Sequence, residues 1–304
     1  MRVIITGGSG LIGSALATDL LKDGHEVIAL SRDPQGRKSH LPAGVRVERW
    51  DGRSADGWGH LAEGAWAIVN LAGENIGEKR WSEDRKRAIV ESRVLAGKAV
   101  TQAATQAAHK PAVVVQASGV GYYGPQKEAR ISEESPAGTD FMSQICQQWE
   151  PATAGVEQAG VRRVVVRNGV VLSLRGGAFP RMVMPFRFFA GGPLGSGQQW
   201  ISWIHLRDEI AGLRFLMENQ AANGVYNLTS PHPVRNRDFE RAIGKAMHRP
   251  AVVPVPAFAI RLLFGEMAIT VLEGQRVLPD RLEKAGFLFS YPKIEEALGD
   301  LLVK

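Results

Sequence analysis

The chain has 304 residues, of which 44% are hydrophobic and 22% are charged, a composition typical of a globular protein that can bury a large core. The formal net charge is +6, but the basic residues are scattered rather than interleaved with aromatic side chains, which argues against a nucleic-acid partner. No apolar stretch of the sequence is long enough to cross a bilayer, and the single cysteine, Cys146, excludes an internal disulfide.

The chain begins with a short apolar strand that leads into a glycine-rich turn. Residues 3–5 (VII) show no polar alternation, which is typical of a strand buried on both faces of a parallel sheet. Glycines follow at positions 7, 8, 10 and 13, a spacing that lets backbone N–H groups approach a pyrophosphate and lets the next helix pack closely. Because a strand rather than a secretion signal comes first, we expect a cytoplasmic protein. The pattern predicts a dinucleotide site contacted by Gly7, Ser9, Gly10, Leu11, Ile12 and Gly13.

The end of the second predicted strand, residues 26–30, indicates which dinucleotide is bound. Ser31 and Arg32 follow this strand, and Arg32 lies 19 residues beyond Gly13. At this place an acidic side chain would select NAD, whereas an arginine accepts the 2′-phosphate of NADP. Asp33 is interpreted as turned outward. We therefore predict that Ser31 and Arg32 bind NADP; the alternative is a solvated basic loop.

Strands and helices alternate through the first two-thirds of the chain, which implies βαβ units and a parallel sheet. Further strands are predicted over residues 45–50, 67–71, 112–116 and 163–166. Helices are predicted over 82–109 and 141–158, the second interrupted in its middle at residues 150–151. We predict an α/β fold, a Rossmann-like doubly wound parallel sheet with a smaller C-terminal substrate lobe. The NADP-binding domain would be residues 1–172 with a returning part near 200–230, and the substrate lobe residues 173–304, including a C-terminal segment over 250–304.

Several motifs along the chain together resemble one protein family. They are residues 6–13 (TGGSGLIG), 70–76 (NLAGENI), 118–124 (SGVGYYG), 149–150 (WE), 167–172 (RNGVVL), 191–197 (GGPLGSG), 203–205 (WIH) and 274–279 (GQRVLP). On these motifs the chain resembles the extended branch of the short-chain dehydrogenase/reductase superfamily, and more closely its atypical epimerase family subgroup with an added C-terminal segment. The resemblance covers essentially the whole chain. It implies an NADP(H)-binding fold and a small-molecule substrate that is generally unassigned.

The resemblance also implies which residues lie near the adenine half of the cofactor. Leu71, Ala72 and Gly73 would line the adenine ribose, and Glu74 would be close to the cofactor. Asp51, at the tip of the third predicted strand, would lie near the adenine. The alternative for Asp51 is a turn residue, since Asp-Gly is itself a turn signal.

Two further contacts with the cofactor follow from the same resemblance. Arg93, on the long helix that faces the carboxyl edge of the sheet, would reach the phosphates. Val171, in the loop after the sixth predicted strand, would offer backbone groups to the nicotinamide. No metal site is expected.

The catalytic pair that usually accompanies such a site is missing. Superfamily members carry Tyr-x-x-x-Lys, in which the lysine lowers the tyrosine pKa and the phenolate exchanges a proton with the substrate. Extended members often add a glutamate four residues later, and aligning it with Glu150 puts Met142 and Cys146 at the tyrosine and lysine positions. We interpret Cys146 as a buried small hydrophobe. The literal match, Tyr123-x-x-x-Lys127, lies in a Gly-Pro loop rather than on one face of a helix.

Ser118 and Tyr123 are the catalytic candidates that remain. Ser118 ends the fifth predicted strand and can hydrogen-bond a substrate oxygen, although serine supplies no base at neutral pH. Tyr123 can donate a proton, and so can Tyr122, unless the two rings form a packed aromatic pair. For His205 we favour a structural role over an acid–base role, and Glu74 is a further candidate base.

Three functions stay open. The favoured one is an NADP-dependent oxidoreductase that acts on a small carbonyl or hydroxyl substrate with a non-standard proton donor. The second is a nucleotide-sugar epimerase or dehydratase, in which Arg175, Arg181, Arg187 and Arg207 would bind the substrate pyrophosphate. The third is a non-catalytic NADP(H)-binding sensor or assembly factor, which the missing Tyr/Lys pair favours. We expect a monomer or a weak homodimer, since Pro151 breaks a helix surface that commonly pairs in this superfamily.

Overall fold

Seven parallel strands form one central sheet in the computed structural model, which describes residues 1–38 and 41–303. The strands are, in chain order, β1 (Arg2–Thr6), β2 (Glu26–Ser31), β3 (Arg46–Arg49), β4 (Ala67–Asn70), β5 (Val113–Gly119), β6 (Gln126–Ile131), β7 (Arg162–Asn168), β8 (Val170–Leu172), β9 (Trp200–Ile201), β10 (Trp203–His205), β11 (Gly224–Leu228), β12 (Val234–Arg235) and β13 (Gln275–Val277). The helices are α1 (Leu11–Lys22), α2 (Pro34–Lys38), α3 (Glu83–Gln106), α4 (Phe141–Trp149), α5 (Gly155–Gln158), α6 (Phe179–Arg187), α7 (Leu206–Glu218), α8 (Asn236–Met247), α9 (Ala257–Phe264), α10 (Ile269–Leu272), α11 (Asp280–Lys284) and α12 (Ile294–Leu302).

The strand order in the central sheet is β3-β2-β1-β4-β5-β7-β11, and all neighbouring strands run parallel. The chain first adds strands on one side of β1 and then continues on the other side from β4. In open parallel sheets, ligands bind at the carboxyl edge where this direction reverses, which here lies between Thr6 of β1 and Asn70 of β4. The predicted Rossmann-like α/β fold is confirmed. Its topology indicates a ligand site at the carboxyl ends of β1 and β4.

Both faces of the central sheet are buried, which explains the unbroken apolar run in β1. Val3 and Ile5 pack with Leu16 of α1 on one face, where α7 also lies. Ile4 points to the opposite face and packs with Ala99 of α3. Because successive strand residues alternate between the two faces, a strand covered by helices on both sides needs apolar side chains at every position.

The two long predicted helices are shorter or broken in the structure. Helix α3 begins after Ser82, whose hydroxyl accepts the backbone N–H of Arg85 at 3.2 Å and so caps the helix. The helix predicted over residues 141–158 ends at Trp149 and continues as a 3₁₀ turn over Glu150–Thr153 before α5. The break coincides with Pro151, which has no N–H for the helical ladder.

The C-terminal part of the chain contacts the loop that follows β5. Strand β13 pairs in parallel with β6, and Gln275 Nε2 donates a hydrogen bond to the carbonyl of Val120 at 2.6 Å. Tyr123 lies in a 3₁₀ turn before β6, and Lys127 lies within β6. The literal Tyr-x-x-x-Lys match therefore spans a turn and a strand, and its two side chains share no helix face.

A further apolar cluster lies outside the central sheet and joins α6, α8 and α12. Phe179 of α6 packs there with Phe239 of α8 and Leu298 of α12. Near the start of α7, Asp208 accepts the N–H of Ser290 at 2.8 Å, which fixes the segment before α12 to the central sheet's helix layer. Across residues 1–38 and 41–303, none of the helices combines the length and apolar character needed to cross a membrane.

Candidate functional site

The turn after β1 accepts only glycine at two of its positions. Gly7 has a φ of +67°, and a Cβ at this position would lie 2.8 Å from the carbonyl oxygen of Leu71. A Cβ on Gly13 would lie 2.5 Å from the carbonyl oxygen of Gly7. Gly7 thus lets the turn meet the end of β4, and Gly13 lets α1 pack directly on the turn.

The first turn of α1 directs backbone donors at the carboxyl edge of the sheet. Gly10 precedes the helix and has no side chain that could accept a hydrogen bond from it. The N–H groups of Leu11, Ile12 and Gly13 have no acceptor within residues 1–38 and 41–303. Since α1 is 12 residues long, its dipole adds partial positive charge at the same point. The geometry and charge of this end of α1 suit a phosphate group.

A cavity of about 590 Å³ lies against the glycine turn and is open to solvent. Its lining includes Ser9, Gly10 and Leu11 of the turn and Arg175 with the two glycines that follow it. A Cβ on Gly177 would lie 3.1 Å from Leu11 Cδ2, so the loop after β8 packs closely over the turn. Arg175 is exposed, and its guanidinium has no hydrogen bond or ion pair with the described residues.

The position of Arg175 differs from the sequence-based hypothesis, which gave it to the pyrophosphate of a sugar substrate. The structure places Arg175 in the lining of the cavity that Ser9, Gly10 and Leu11 also line, at the start of α1. The pair Gly176–Gly177, separated from the end of β8 by three residues, was the sequence signal for a loop that approaches another backbone closely. That signal was missed because β8 has only three residues and was interpreted as a loop.

A hydrogen-bonded row of polar side chains crosses the carboxyl ends of three strands. The Thr6 hydroxyl donates to Asn70 Oδ1 at 2.6 Å, and Asn70 Nδ2 donates to Gln116 Oε1 at 2.9 Å. Thr6 Oγ1 also accepts the backbone N–H groups of Leu71 and Ala72, at 3.1 and 3.2 Å. The segment predicted to line the adenine ribose is thus held beside the glycine turn.

At the end of β2 the side chain of Arg32 is exposed, whereas the carboxylate of its neighbour Asp33 accepts a hydrogen bond from α2. Arg32 is 73% exposed in its side chain and lies along Gly52, 3.6 Å from the place a Cβ would take there. Asp33 accepts the N–H of Gly36 in the first turn of α2 at 3.0 Å. Its own N–H donates to the hydroxyl of Ser31 at 3.2 Å. Asp33 therefore caps α2, and Arg32 is the charged group at the strand tip.

Asp51 forms a local turn. One carboxylate oxygen accepts the N–H groups of Arg53 and Ser54 at 2.7 and 2.9 Å, and the other accepts the Ser54 hydroxyl at 3.0 Å. Slight burial opposes the effect, but these hydrogen bonds hold the pKa of Asp51 below its ordinary value. The geometry matches the turn alternative, while a contact with the adenine stays a prediction.

Glu74 joins two arginines at the edge of the site. Its carboxylate lies 3.2 Å from Arg32 Nη1 and 3.1 Å from Arg85 Nη1. Partial burial raises its pKa, but the hydrogen bonds from Arg85 and Arg32 outweigh this and hold the pKa below its ordinary value. A carboxylate with a lowered pKa is a poorer proton acceptor at neutral pH, so the geometry does not favour Glu74 as the catalytic base.

Ser118 belongs to a buried chain of charged and polar groups between β5 and β7. Its hydroxyl donates to Glu150 at 2.7 Å, and Glu150 forms a two-pronged ion pair with Arg167, with N···O distances of 2.8 and 2.9 Å. Arg167 Nη1 donates to the Tyr123 hydroxyl at 3.0 Å, and this hydroxyl donates to Asn227 Oδ1 at 2.7 Å. Within this chain, every hydroxyl hydrogen is already in use.

The structure does not favour Tyr123 as a proton donor, and its catalytic role stays a prediction. Its side chain is completely buried, and its hydroxyl is bonded on both sides. Burial raises the pKa of Tyr123 to about 12, although Arg167 opposes the shift. The neighbouring Tyr122 is only half-buried, and its ring centre lies 3.3 Å from Arg167 Cζ. The Tyr122 hydroxyl makes no hydrogen bond within the described part of the chain.

Met142 and Cys146, which align with the missing catalytic tyrosine and lysine, both pack against the end of β5 and the loop that follows it. Met142 contacts the loop after β5, where a Cβ on Gly121 would lie 3.2 Å from the Met142 Cβ. Cys146 is buried, its sulfur lies 3.6 Å from the carbonyl of Gly119, and burial raises its pKa to about 11. At neutral pH the thiol is protonated and less reactive than an ordinary cysteine.

His205 has a structural position. It precedes α7, and its Nδ1 accepts the N–H of Arg207 at 3.1 Å. Its ring packs on Tyr291 at a centroid distance of 4.1 Å, and Nε2 lies 3.3 Å from Asp300. Burial lowers its pKa, although Asp300 opposes the shift. These contacts join β10 to the C-terminal segment, and they favour a structural role for His205 over an acid–base role.

Val171 lies in a strand where a loop was predicted. It is the middle residue of β8 and pairs in register with Ile204 of the parallel strand β10. This two-stranded ladder is separate from the central sheet and begins just after the carboxyl end of β7.

Within residues 1–38 and 41–303, no group of three or more histidine, cysteine or acidic side chains has the arrangement needed to hold a metal ion.

The comparisons with known sequences divide the chain into two matched parts. The model of the NAD dependent epimerase/dehydratase family matches residues 3–229, and that of a domain of unknown function, DUF1731, matches residues 255–301. An epimerase family protein of Mycobacterium bovis is 41% identical over 298 residues, which cover 98% of this chain and 96% of the relative. Another, from Mus musculus, is 38% identical and covers 99% of this chain and 100% of the relative.

Two solved structures extend these similarities to the fold. The human epimerase family protein crystallised with NADPH is 36% identical, with a TM-score of 0.89 over 99% of both chains. A nucleoside-diphosphate sugar epimerase from Corynebacterium glutamicum is 33% identical, with a TM-score of 0.77. That match covers the whole of this chain but only 59% of the longer one.

Proposed function

This chain belongs to the NAD dependent epimerase/dehydratase family, and on that premise we propose that it is an NADP(H)-dependent oxidoreductase acting on a small carbonyl or hydroxyl compound. The family resemblance predicted from the motifs is confirmed. The observation that carries the proposal is the end of β2, where Arg32 is exposed while Asp33 is occupied by α2. The human relative crystallised with NADPH supports the same cofactor.

The proposed cofactor lies across the carboxyl edge between β2 and β5. Arg32 and Ser31 hold the 2′-phosphate of the adenine ribose, and the segment from Leu71 to Gly73 lines that ribose. The pyrophosphate would accept hydrogen bonds from the first turn of α1, and Arg175, in the lining of the same cavity, would add a positive charge. These two sources of positive charge suit the two negative charges of a pyrophosphate.

The proposed chemistry needs a proton donor as well as a cofactor. NADPH, when bound, supplies a hydride to the carbonyl carbon of the substrate. The carbonyl oxygen then takes a proton from Tyr122, whose hydroxyl has no partner among the described residues and whose ring is fixed on Arg167. The Arg167 guanidinium, 3.3 Å from the centre of the Tyr122 ring, holds the ring in place, and solvent returns the proton to the hydroxyl after the transfer. Tyr122 thus replaces Tyr123 as the candidate donor.

A second function, NADP(H) binding without catalysis, is favoured by one specific observation. The three groups that align with the usual catalytic residues are buried or engaged: Ser118 donates to Glu150, Met142 packs on the β5 loop, and Cys146 is a protonated thiol. A protein with this site would respond to the ratio of reduced to oxidised cofactor. The two functions share the binding site and differ in whether bound NADPH is consumed.

The test begins with titration of the purified protein with NADPH and with NADH, followed by nicotinamide fluorescence. We expect NADPH to bind at least ~10-fold more tightly, since the 2′-phosphate adds a charge-assisted hydrogen bond. Binding of neither nucleotide would overturn the assignment. The loaded protein is then mixed with a panel of small aldehydes and ketones. Loss of reduced nicotinamide absorbance supports the oxidoreductase, and NADPH that stays reduced throughout supports the non-catalytic binder.

A further inference from the structure

Two segments of the chain carry most of its exposed apolar side chains. Within residues 1–38 and 41–303, twelve large hydrophobic residues are exposed, and eight of them lie between residues 184 and 189 or between residues 252 and 263. Among these eight, Phe188, Val252, Phe258 and Leu262 project furthest, with exposures between 72% and 78%. Single apolar residues are ordinary on a protein surface, but a concentration of this kind marks a surface that meets an apolar partner.

Helix α9 is apolar on nearly every side, yet it lies at the surface. Seven of its eight residues are apolar, and only Ile260 is buried. A helix of this composition is expected inside a core. The carbonyl of Leu262 accepts a hydrogen bond from Arg80 Nη2 at 3.2 Å, which fixes the helix to the loop after β4. Phe258 and Leu262, one turn apart, still face solvent, so the fold holds this helix with its apolar side chains outward.

The two segments adjoin each other. The N–H of Val253 donates to the carbonyl of Gly191 at 3.1 Å, and Arg249 Cζ lies 4.3 Å from the ring centre of Phe189. Phe189 has a φ of +58°, a conformation that is rare for an aromatic residue, and its side chain is nevertheless exposed. We call the joined region the apolar surface; it comprises residues 184–189, 249–253 and 258–263.

Positive charge without matching negative charge surrounds the apolar surface. Residues 175–197 and 241–265 contain seven arginines and lysines and no aspartate or glutamate, although the chain has 31 acidic residues. The acidic residues next to these ranges are already paired, Asp238 with Arg241 at 3.2 Å and Glu266 with Lys86 at 2.5 Å. Four cations of these ranges are exposed and form no ion pair with the described residues; they are Arg187, Lys245, Arg249 and Arg261.

The combination of projecting apolar side chains and unpaired cations matches one partner in both respects. An anionic phospholipid bilayer offers phosphates to the cations and hydrocarbon to the apolar side chains. A second copy of this chain would bring the same positive charge to the contact, and like charges oppose such pairing. Docking of this kind also needs no helix that spans the bilayer.

We propose that the apolar surface docks this protein on the face of an anionic membrane. Phe258, Leu262 and Phe188 enter the layer of lipid headgroups, and the unpaired cations contact lipid phosphates. The segments involved lie outside the cavity at the glycine turn, so a docked protein keeps that cavity available to its nucleotide.

The first test is sedimentation of the full chain with phospholipid vesicles at physiological ionic strength. We expect the protein to sediment with vesicles of equimolar phosphatidylcholine and phosphatidylglycerol and to stay in the supernatant with vesicles of phosphatidylcholine alone. Added salt should release it, because salt screens the contact between cations and phosphates. Protein that stays in the supernatant with both kinds of vesicle overturns the proposal. Equal sedimentation with both overturns the role of the cations.

The second test removes the projecting apolar side chains. We expect Phe258→Ser combined with Leu262→Ser to weaken binding to the anionic vesicles at least ~10-fold, because two side chains no longer enter the lipid layer. The matched control is Leu288→Ser combined with Val303→Ser, which removes two exposed apolar side chains elsewhere and should bind like wild type. All four residues are exposed, so both double variants should melt like wild type. Equal binding by the two double variants overturns the proposal.

The third test removes the cations at constant net charge of variant and control. The triple variant Lys245→Gln, Arg249→Gln, Arg261→Gln should bind the anionic vesicles ~100-fold more weakly, about fivefold for each cation. The control Lys22→Gln, Arg87→Gln, Lys98→Gln removes three exposed charges outside the apolar surface. A loss of equal size in the control would mean that net charge alone attracts the protein, and it would overturn the proposal.

Light scattering distinguishes the other possible occupants of the apolar surface. A dimer that Phe258→Ser with Leu262→Ser dissociates, in a protein that ignores vesicles, would assign the surface to a second copy and overturn membrane docking. Binding to polyglutamate but not to vesicles would assign it to an acidic protein, with the same consequence. Because none of these assays contains a nucleotide, their failure leaves the proposed function intact, and failure to bind NADPH leaves this inference intact.

Discussion

Arg32 and Glu74 form an ion pair across the adenine end of the candidate site, with Arg32 Nη1 3.2 Å from Glu74 Oε1. The arginine that we assign to the 2′-phosphate therefore has a carboxylate beside it. Arg85 holds that carboxylate from the other side at 3.1 Å. A phosphate that binds Arg32 must compete with Glu74, and the selectivity of the site depends on both residues.

Replacing Arg32 by alanine should reduce the preference for NADPH. We expect Arg32→Ala to weaken NADPH binding ~10- to 100-fold, because it removes a charge-assisted hydrogen bond, while NADH binding changes less than about threefold. Fluorescence titration with both nucleotides measures the ratio. Lys22→Ala, at the opposite end of α1, removes one charge and should leave both affinities unchanged. Equal weakening of both nucleotides by Arg32→Ala would contradict the 2′-phosphate assignment.

Replacing Glu74 by glutamine should strengthen NADPH binding. The change removes the negative charge that competes for Arg32, and Arg85 keeps a carboxylate partner in Glu78, at 3.5 Å. We expect Glu74→Gln to lower the Kd for NADPH about 3- to 10-fold at low salt, with a smaller gain at high salt, where surface charges are screened. Calorimetry at two salt concentrations measures both effects. Weaker binding by Glu74→Gln would instead indicate a direct contact between Glu74 and the cofactor, as the family resemblance implies.

The adjacent tyrosines should respond differently to loss of their hydroxyls. Tyr122→Phe should lower the turnover of any carbonyl substrate by ~100-fold or more and leave NADPH affinity unchanged, because it removes only the proton donor. Tyr123→Phe should lower the free energy of unfolding by ~1–3 kcal/mol, because Asn227 and Arg167 lose a buried partner. Steady-state kinetics and thermal melts separate the two effects. Normal turnover in Tyr122→Phe with lost turnover in Tyr123→Phe would restore the original catalytic prediction.

Glu209 should make the protein less stable as the pH rises. It is fully buried on α7, neither carboxyl oxygen has a hydrogen-bond partner in the described parts of the chain, and burial raises its pKa to about 8. Between its ordinary pKa and about 8, the unfolded chain releases the proton while the folded chain keeps it. Unfolding is therefore favoured increasingly across this range, and above pH 8 the fold must hold a buried charge.

The substitution Glu209→Gln removes this dependence. The melting temperature of the variant should exceed that of wild type by several degrees at pH 8.5 and by little at pH 5, as expected for a cost of a few kcal/mol that vanishes when the carboxyl is protonated. Glu240, whose pKa burial also raises to about 8, contributes the same sign in both proteins. Glu295→Gln, on the exposed face of α12, serves as the control. A constant difference between variant and wild type at the two pH values would contradict the argument.

Local sequence was sufficient to predict those elements of the fold that are determined by residues close together in the chain. The strand at residues 3–5 and the glycines after it are adjacent, so β1, the turn and α1 follow from spacing and polarity alone. Strand β6 could not be predicted, because most of its side chains are exposed and its partner β13 lies more than 140 residues later in the chain. The break after α4 was predictable because a single proline causes it.

Some residues of the candidate site could likewise be assigned from local sequence, whereas the roles of others depend on contacts with distant parts of the chain. Arg32 was assigned from its distance to the glycine turn, which one βαβ unit determines. Nothing local distinguishes Tyr122 from Tyr123: the second is buried only because Asn227 and Arg167 meet its hydroxyl from distant strands. The burial of Arg93 on α3, beside Gly73 and the ring of Trp149 on α4, likewise depends on segments that are distant in sequence. Tertiary contacts, and not residue type, therefore decide which of the candidates can act.

The hydrogen bond from Gln275 to the carbonyl of Val120 has a consequence for how this chain can be divided. A fragment that stops after β11 would contain every strand of the central sheet, yet it would lose β13 and with it the pairing that orders β6. Its glycine turn would persist, while the segment carrying Tyr122 would lose its support. The C-terminal segment therefore supports the loop that carries Tyr122, and any shortened or fused version of the chain should retain both parts.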